Sequence, residues 1–219
     1  MFKDYKLYVF DLDGTLVDTR VDIALTLRAI LLDAGMEDVD KETLLAAIGG
    51  GAKNAVNKLT GLTGERLDYY TEMFVTKYDE MCSDNTTVYK GGMELLKRLR
   101  DEGKQLAVIT MKARVPTVKI LEKHGMDMFG DVIAFDDVEK RKPDPESFFK
   151  LLDKYGLEPS DAVMIGDTTT DMKYAKNAGV DVCAAKYGYG VTQDLLDLMP
   201  EYEIDSLEQI EAKFFHDWV

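Results

Sequence analysis

A short apolar run from Leu7 to Phe10 is followed at once by two carboxylates, Asp11 and Asp13, and then by Gly14. Val, Phe and Tyr favour a β-strand, and a glycine directly after a strand favours a tight loop. We therefore expect Asp11 at the carboxyl end of a strand and Asp13 in the loop beyond it, where open α/β sheets bind ligands. Two carboxylates this close repel each other unless a cation neutralises them. Mg²⁺ is the natural candidate, because it takes oxygen ligands and leaves places for waters and phosphates.

From Gln105 onward, strand-like and helix-like patterns alternate along the chain. Apolar runs of the buried type predict strands at 105–110, 132–135, 162–166 and 180–184, separated by helical patterns that end at glycines. Such alternation indicates a parallel sheet with right-handed crossovers.

Residues 20 to about 85 have a different pattern, because apolar residues recur there at helical spacing without any strand pattern. Three successive glycines, Gly49 to Gly51, interrupt these helices. We therefore predict one α/β domain that is split after its first strand by a helical insert.

The charge and the cysteine count limit the partners and the setting. A net charge of −14 over 219 residues argues against nucleic acid and anionic membranes, since both require basic patches. No apolar run approaches membrane-spanning length. Two cysteines provide no disulfide framework, and the first residues do not resemble a signal peptide. We expect a cytoplasmic protein, either a monomer or a homodimer.

Three further positions place polar groups after predicted strands. Thr110 ends the second strand of the α/β pattern, although threonine is common in strands in any case. Lys142 lies in a basic segment after the third strand, which would otherwise be an ordinary solvated loop before a helix. Asp167 ends the next strand, and Asp171 follows near a helix start, where the helix dipole alone would also favour an acid. Asp167 has no such simple explanation.

Taken together, these segments resemble the motifs of a known enzyme family. Asp-Leu-Asp-Gly-Thr from Asp11, Thr110, Lys142 before Pro143, and Gly-Asp-x-x-x-Asp ending at Asp171 occur in the order found in the haloacid dehalogenase-like phosphohydrolases. The first motif is most similar to the phosphoglycolate phosphatase branch. The resemblance covers essentially the whole chain. It implies a Rossmann-like parallel sheet core, residues 1–18 and 86–219, with an inserted all-helical cap, residues 19–85.

The resemblance also implies roles for the acidic residues. Asp11 would attack phosphorus and become an aspartyl phosphate, while Asp13 would protonate the leaving oxygen and then activate water. Mg²⁺ would be held by the Asp11 and Asp167 carboxylates and the backbone carbonyl of Asp13, with Asp171 orienting this set directly or through water.

The phosphate would be held by Thr110 and Lys142. One position departs from the pattern, because this branch often has an asparagine after the threonine and here Met111 precedes Lys112. Met111 has no side-chain donor, so its contact with substrate is either lost or made by its backbone N–H.

Within the cap, the three glycines are the unusual feature, since each costs about 1 kcal/mol relative to alanine in a helix. They fit a simple helix–helix turn, or a loop whose backbone approaches a ligand closely. The resemblance favours the second interpretation, because related phosphatases carry a specificity loop in this region. Gly50, Gly51 and Lys53 are therefore predicted to bind substrate, with Lys53 meeting an anionic group.

We expect a phosphatase acting on a small phosphorylated metabolite. Phosphoglycolate-like acids, pyrophosphate, nucleotides and sugar phosphates all remain open as substrates. A phosphomutase of the beta-phosphoglucomutase kind shares this core and cap, but it would have to exclude water from the phosphoaspartate. A hydrolytic dehalogenase is disfavoured, because it needs neither Asp13 nor metal ligands. A receiver-type phospho-switch is shorter and has no insert, and a non-catalytic binding module would not need all these positions filled.

Overall fold

The structure is a computed structural model that describes residues 2–210. Its strands are β1 (Leu7–Phe10), β2 (Val17–Asp18), β3 (Thr87–Val88), β4 (Gln105–Ile109), β5 (Asp131–Ile133), β6 (Ala162–Gly166), β7 (Asp181–Ala185) and β8 (Tyr202–Ile204). Its helices are α1 (Arg20–Asp33), α2 (Lys41–Ala47), α3 (Ala52–Thr60), α4 (Gly64–Met81), α5 (Gly92–Asp101), α6 (Arg114–Lys123), α7 (Glu146–Tyr155), α8 (Thr169–Ala178) and α9 (Thr192–Leu196).

Six of the strands form one parallel sheet in the order β5-β4-β1-β6-β7-β8. Numbered only among themselves, these strands run 3-2-1-4-5-6, which is the order of the doubly wound Rossmann fold. The order reverses between β1 and β6, and ligands of such sheets bind at the carboxyl ends of the strands on either side of that reversal. The predicted α/β class with a Rossmann-like sheet is confirmed.

The sheet is buried on both faces, as the apolar strand patterns indicate. Along β1, Leu7 and Val9 pack into a cluster on one face, while Tyr8 and Phe10 pack into a second cluster on the other. Side chains alternate in this way because successive residues of a strand point to opposite faces. This burial fixes the register of β1, and with it the position of the residues that follow Phe10.

Helices α1 to α4, for which we keep the name cap, lie between β2 and β3. These two short strands pair antiparallel, Val17 with Val88 and Asp18 with Thr87, so the chain leaves and re-enters the sheet region at one place. Asp22 in α1 is fully buried, and its carboxylate accepts hydrogen bonds from the backbone and side-chain amides of Asn85 and from the hydroxyl of Thr86. The start of the cap is thereby fastened to its end.

Some elements differ from the predictions. Strands β2 and β3 are too short to produce a periodic pattern in the sequence. The sequence patterns also do not predict β8 or α9. Ser206 with Gln209 three residues later is a capping pair that predicts a C-terminal helix, and most of that helix lies outside the described residues. Within residues 2–210, the helices are all too short or too polar to cross a membrane.

Candidate active site

The ends of three neighbouring strands bring the first predicted residues together. In the sheet, Phe10 of β1 is in register with Val108 of β4 and with Ile165 of β6. Asp11 therefore lies directly beside the end of β6, where its N–H donates to the carbonyl of Ile165 over 2.9 Å. Thr110 follows β4 in the same way and is buried. Parallel pairing thus places at one edge the groups that the sequence keeps far apart.

Three buried carboxylates form a cluster at this edge. Oxygen atoms of Asp11, Asp167 and Asp171 all lie within 4.8 Å of one another. Lys142 Nζ lies between two of them, at 2.6 Å from Asp11 Oδ1 and 2.6 Å from Asp171 Oδ1. The sequence prediction that these four residues meet therefore agrees with the structure.

Among the described residues, the negative charges of this cluster exceed the positive charge that lies beside them. Burial raises the pKa of Asp11 well above its usual value, and burial together with Asp171 raises the pKa of Asp167 to about 7. Burial alone would lower the pKa of Lys142, but the carboxylates of Asp11 and Asp171 outweigh it and raise that pKa. One ammonium thus faces three carboxylates. An all-oxygen donor set with excess negative charge fits a hard divalent cation.

Asp167 is held in place from two sides. Thr15 Oγ1 donates to Asp167 Oδ1 over 2.7 Å, and the N–H of Tyr189 donates to Asp167 Oδ2 over 2.7 Å. Two glycines allow this close packing, because a Cβ at Gly14 would lie 2.2 Å from Oδ2 and one at Gly188 would lie 2.2 Å from the Asp167 Cβ. Gly14 also has a φ of +87°, which only glycine adopts readily.

Asp171 serves the helix and the cluster at once. One of its oxygens, Oδ2, accepts from the N–H of Thr168 at 3.0 Å, and the Asp171 N–H donates to Thr168 Oγ1 at 3.3 Å, so the two residues form the capping box of α8. The Thr168 hydroxyl also lies 2.6 Å from Oδ2. The other oxygen accepts from Lys142. The capping role and the site role, which compete as explanations of the sequence, are both present in the structure.

The side chain of Asp13 is not part of the cluster of three carboxylates and has partners of its own. Its Oδ1 accepts from Thr19 Oγ1 at 2.6 Å, and Lys112 Nζ lies 2.9 and 3.0 Å from its two oxygens. Thr19 is fixed in turn, because its N–H donates to the Tyr189 hydroxyl over 2.8 Å. Asp13 was predicted as a metal residue. Its carboxylate does not belong to the acidic cluster, so only its backbone carbonyl, which the resemblance implies, stays a prediction.

Sequence reasoning missed Lys112 as a site residue. Lys112 is buried, lies beside Asp13, and its ammonium is 4.6 Å from the ring centre of Tyr78. The backbone N–H of Lys112 donates to Thr110 Oγ1 over 3.1 Å, so the threonine hydroxyl can still donate its own hydrogen to another group. The available signal was a lysine two residues after a strand-end threonine. Thr15, Thr19 and Tyr189 carried no comparable signal.

These groups open onto a pocket of about 440 Å³ between the sheet edge and the cap. We call its charged side the polar floor, which consists of Asp11, Asp13, Thr110, Lys112, Lys142 and Asp171, together with Asp167, which is fully buried beside Asp11 and Asp171 and does not itself line the pocket. Met111 lines the pocket beside the floor, and Gly50 and Gly51 line it from the cap. Gly49, Gly50 and Gly51 have φ values of +116°, +74° and +85°, so this loop adopts a backbone that other residues disfavour.

Lys53 is the predicted substrate-binding residue that the structure does not bring to the pocket. Ala52 and Ala55 line the pocket and lie on one face of α3, whereas Lys53 is turned by about 100° from Ala52 around the helix. Its ammonium lies 2.5 Å from Asp68 of α4, and both side chains are more than half exposed. A contact between Lys53 and an anionic substrate is therefore not supported.

Comparisons with known proteins agree with this geometry. The family model described as haloacid dehalogenase-like hydrolase matches residues 8–185. The phosphoglycolate phosphatase of Psychrobacter arcticus is 31% identical over 217 residues, which cover 94% of each chain. That of Agrobacterium fabrum is 31% identical over 224 residues, covering 97% of this chain and 94% of the relative.

A solved structure extends the likeness to the whole fold. The crystal structure of a predicted phosphoglycolate phosphatase from Haemophilus somnus 129PT superposes with a TM-score of 0.88 at 28% identity. The superposition covers 98% of this chain and 100% of the chain from Haemophilus somnus. Motif order, fold and the meeting of acids at one sheet edge lead to the same assignment: the chain belongs to the haloacid dehalogenase-like hydrolase family, in its phosphoglycolate phosphatase-like branch.

Proposed function

We propose that this protein is a Mg²⁺-dependent phosphatase that hydrolyses a small phosphorylated metabolite through an aspartyl phosphate on Asp11. One observation supports this most directly. Asp11 reaches the pocket from the end of β1, while Asp13, two residues later, is held separately by Thr19 and Lys112. A nucleophile and a proton carrier therefore face the same space from different sides.

Asp11 is suited to attack phosphorus. Its carboxylate is buried against the ammonium of Lys142, whose charge offsets the repulsion between an anionic nucleophile and a phosphate. Attack forms the bond between the carboxylate oxygen and phosphorus while the bond to the leaving oxygen breaks. Water then cleaves the aspartyl phosphate and releases inorganic phosphate.

Asp13 is suited to carry the proton in both steps. It would give a proton to the leaving oxygen in the first step and take one from the attacking water in the second. The bonds from Thr19 and Lys112 hold its carboxylate at the pocket. These two residues position Asp13 and have no separate chemical step of their own.

The remaining floor residues bind the phosphoryl group and the cation. Thr110 and Lys142 would donate to phosphoryl oxygens, and the backbone N–H of Met111 would replace the amide that is common at its position. Asp11 and Asp167, with the backbone carbonyl of Asp13, would hold Mg²⁺, and Asp171 would orient them. The ion, when bound, would neutralise charge that develops on the phosphoryl oxygens.

The setting we propose is the cytoplasm. Two cysteines in 219 residues give no disulfide framework, which suits a reducing compartment.

A phosphatase assay tests the proposal. The enzyme should hydrolyse 4-nitrophenyl phosphate with Mg²⁺, lose the activity in EDTA, and regain it when excess Mg²⁺ is added. Circular dichroism in EDTA would show that the fold is retained. Full turnover in metal-free buffer would contradict the metal requirement. Rapid acid quench during turnover, followed by detection of a phosphoryl group on Asp11 by mass spectrometry, tests the covalent step separately.

A further inference from the structure

The pocket has two sides of opposite chemistry. Facing the polar floor is a set of apolar side chains from the cap, which we call the cap wall and which consists of Ile23, Ile48, Ala52, Ala55, Phe74 and Val75. The glycine loop continues this wall without any side chain. A leaving group that extends from a phosphate on the floor therefore meets mainly hydrocarbon and bare backbone, with Tyr78 and Asp79 as the other residues of the cap that line the pocket.

The ionisable groups that line the pocket are mainly acidic. The described lining residues include the carboxylates of Asp11, Asp13, Asp79 and Asp171, and the ammonium groups of Lys112 and Lys142. Each ammonium is bonded to a floor carboxylate. Among the lining residues of the cap there is no lysine or arginine.

Asp79, in α4, is the acidic group that the cap itself contributes to the lining. Its Oδ1 is buried without a hydrogen-bond partner among the described residues. Burial raises the pKa of this carboxyl, and the nearby ammonium of Lys119 opposes the rise. A second carboxylate brought beside it would meet a like charge in a poorly solvated place, which is unfavourable.

We propose that this pocket selects phosphate monoesters whose leaving group is uncharged and has an apolar face, and that Asp79 disfavours leaving groups that carry a carboxylate. This specificity rests on the proposed phosphatase function. It separates the chain from the substrate named for its relatives, because the glycolate that leaves from phosphoglycolate carries a carboxylate.

The size of the pocket agrees with this substrate class. About 440 Å³ lies within the range of small-molecule sites. A phosphoryl group has the bulk of a few water molecules, each of which takes about 30 Å³ in the liquid. Most of the space is therefore left for a leaving group larger than two carbons.

The first test compares two esters that differ only in charge, 2-phosphoglycolate and its amide, glycolamide phosphate. We expect kcat/KM to be at least about tenfold higher for the amide. A second series, ethyl, butyl and hexyl phosphate, keeps the same primary alcohol as leaving group. Here kcat/KM should rise by up to about fourfold for each buried methylene until the pocket is filled.

The outcomes separate the two proposals. If 2-phosphoglycolate is the better substrate of the first pair, or if the alkyl series is flat, the specificity is overturned while the phosphatase function stands. If 4-nitrophenyl phosphate is hydrolysed in the presence of Mg²⁺ but none of these esters is, the specificity is again overturned. If 4-nitrophenyl phosphate is not hydrolysed either, the phosphatase function itself fails.

A matched pair of variants tests the part assigned to Asp79. Asp79→Asn should narrow the preference for the amide over 2-phosphoglycolate by about fivefold, the effect of removing one nearby charge. Asp68→Asn makes the same chemical change in the same helix, but outside the pocket, and should leave the preference unchanged. If the ratio of kcat/KM for the amide to kcat/KM for 2-phosphoglycolate is the same in both variants, Asp79 has no part in the preference. The comparison of esters on the unaltered enzyme remains decisive even if Asp79→Asn does not fold.

Discussion

The polar floor and the cap wall enclose the same pocket but are built in different ways. On the floor, Asp13, Asp167 and Asp171 each accept at least two hydrogen bonds, so their positions are fixed to within small limits. The cap wall consists of apolar side chains and a glycine loop, which fix a shape but make few directional bonds. The comparison indicates that the floor determines which reaction takes place and that the wall determines which leaving groups the pocket accepts. The following experiments test that division.

Removal of the nucleophile should have the largest effect. Asp11→Asn keeps the size of the side chain but removes the carboxylate that would attack phosphorus, so we expect turnover to fall by at least about 10⁴-fold. The phosphoenzyme should no longer be detected by mass spectrometry. Asp153→Asn, at an exposed position, is the control and should retain full turnover. Residual activity of a few per cent in Asp11→Asn would contradict the assignment.

Removal of the buried ammonium of Lys142 should lower the stability of the protein. Lys142→Met leaves Asp11 and Asp171 close together without their shared partner, and breaking a buried ion pair costs about 3–5 kcal/mol. For a chain of this size we expect Tm to fall by roughly 6–20 °C. Mg²⁺ should recover part of the loss if the acids bind it. Lys150→Met, at an exposed ion pair, should change Tm by less than about 2 °C. Similar Tm values for both variants would contradict this account of the floor.

Asp13 should matter more when the leaving group needs a proton. For Asp13→Asn we expect kcat to fall about 100-fold with an alkyl phosphate, the usual scale of general acid–base catalysis. The loss should be smaller with 4-nitrophenyl phosphate, because its leaving group departs without protonation. Phosphate affinity, measured by inhibition, should change little. An equal loss with both substrates would mean that Asp13 acts in another way.

A change in the cap wall should alter substrate binding more than chemistry. Phe74 is buried and stacks on Tyr78, with ring centres 5.7 Å apart. Phe74→Ala should destabilise the protein by about 3 kcal/mol and raise KM for hexyl phosphate severalfold. The kcat for 4-nitrophenyl phosphate should change less. If kcat falls as far as in Asp13→Asn, the division between wall and floor does not hold.

The smallest effect is expected at Lys53. Because its ammonium is paired with Asp68 at the surface, Lys53→Ala should change KM by less than twofold for both charged and uncharged esters. Kinetic measurements with 2-phosphoglycolate and butyl phosphate would check this. A large and selective rise in KM for 2-phosphoglycolate would restore the role that the sequence suggests.

The sequence allowed the floor to be predicted better than the wall, for physical reasons. Asp11, Thr110 and Asp167 each follow an apolar strand, and parallel pairing then requires that they meet at one edge. The position of Lys53 depends on how α3 is rotated against α4, which is set by packing and not by local spacing. Lys112 was missed because its bond to Asp13 joins residues 99 positions apart.

The short strands were missed for a different reason. β2 and β3 contain two residues each, too few for any periodicity, and β8 contains three. Their pairing depends on partners distant in the chain. The boundaries of the cap at residues 19 and 85 stay a prediction.

The pairing of β2 with β3 has a consequence for how such a chain can change over generations. Asp18 and Thr87 are direct partners, and paired residues of antiparallel strands lie only about 5 Å apart. The intervening segment therefore connects to the sheet through two adjoining points, whatever its length. Lineages can lengthen, trim or recombine that segment without altering the strand ends. The reaction can thus be inherited intact while descendants acquire new substrates.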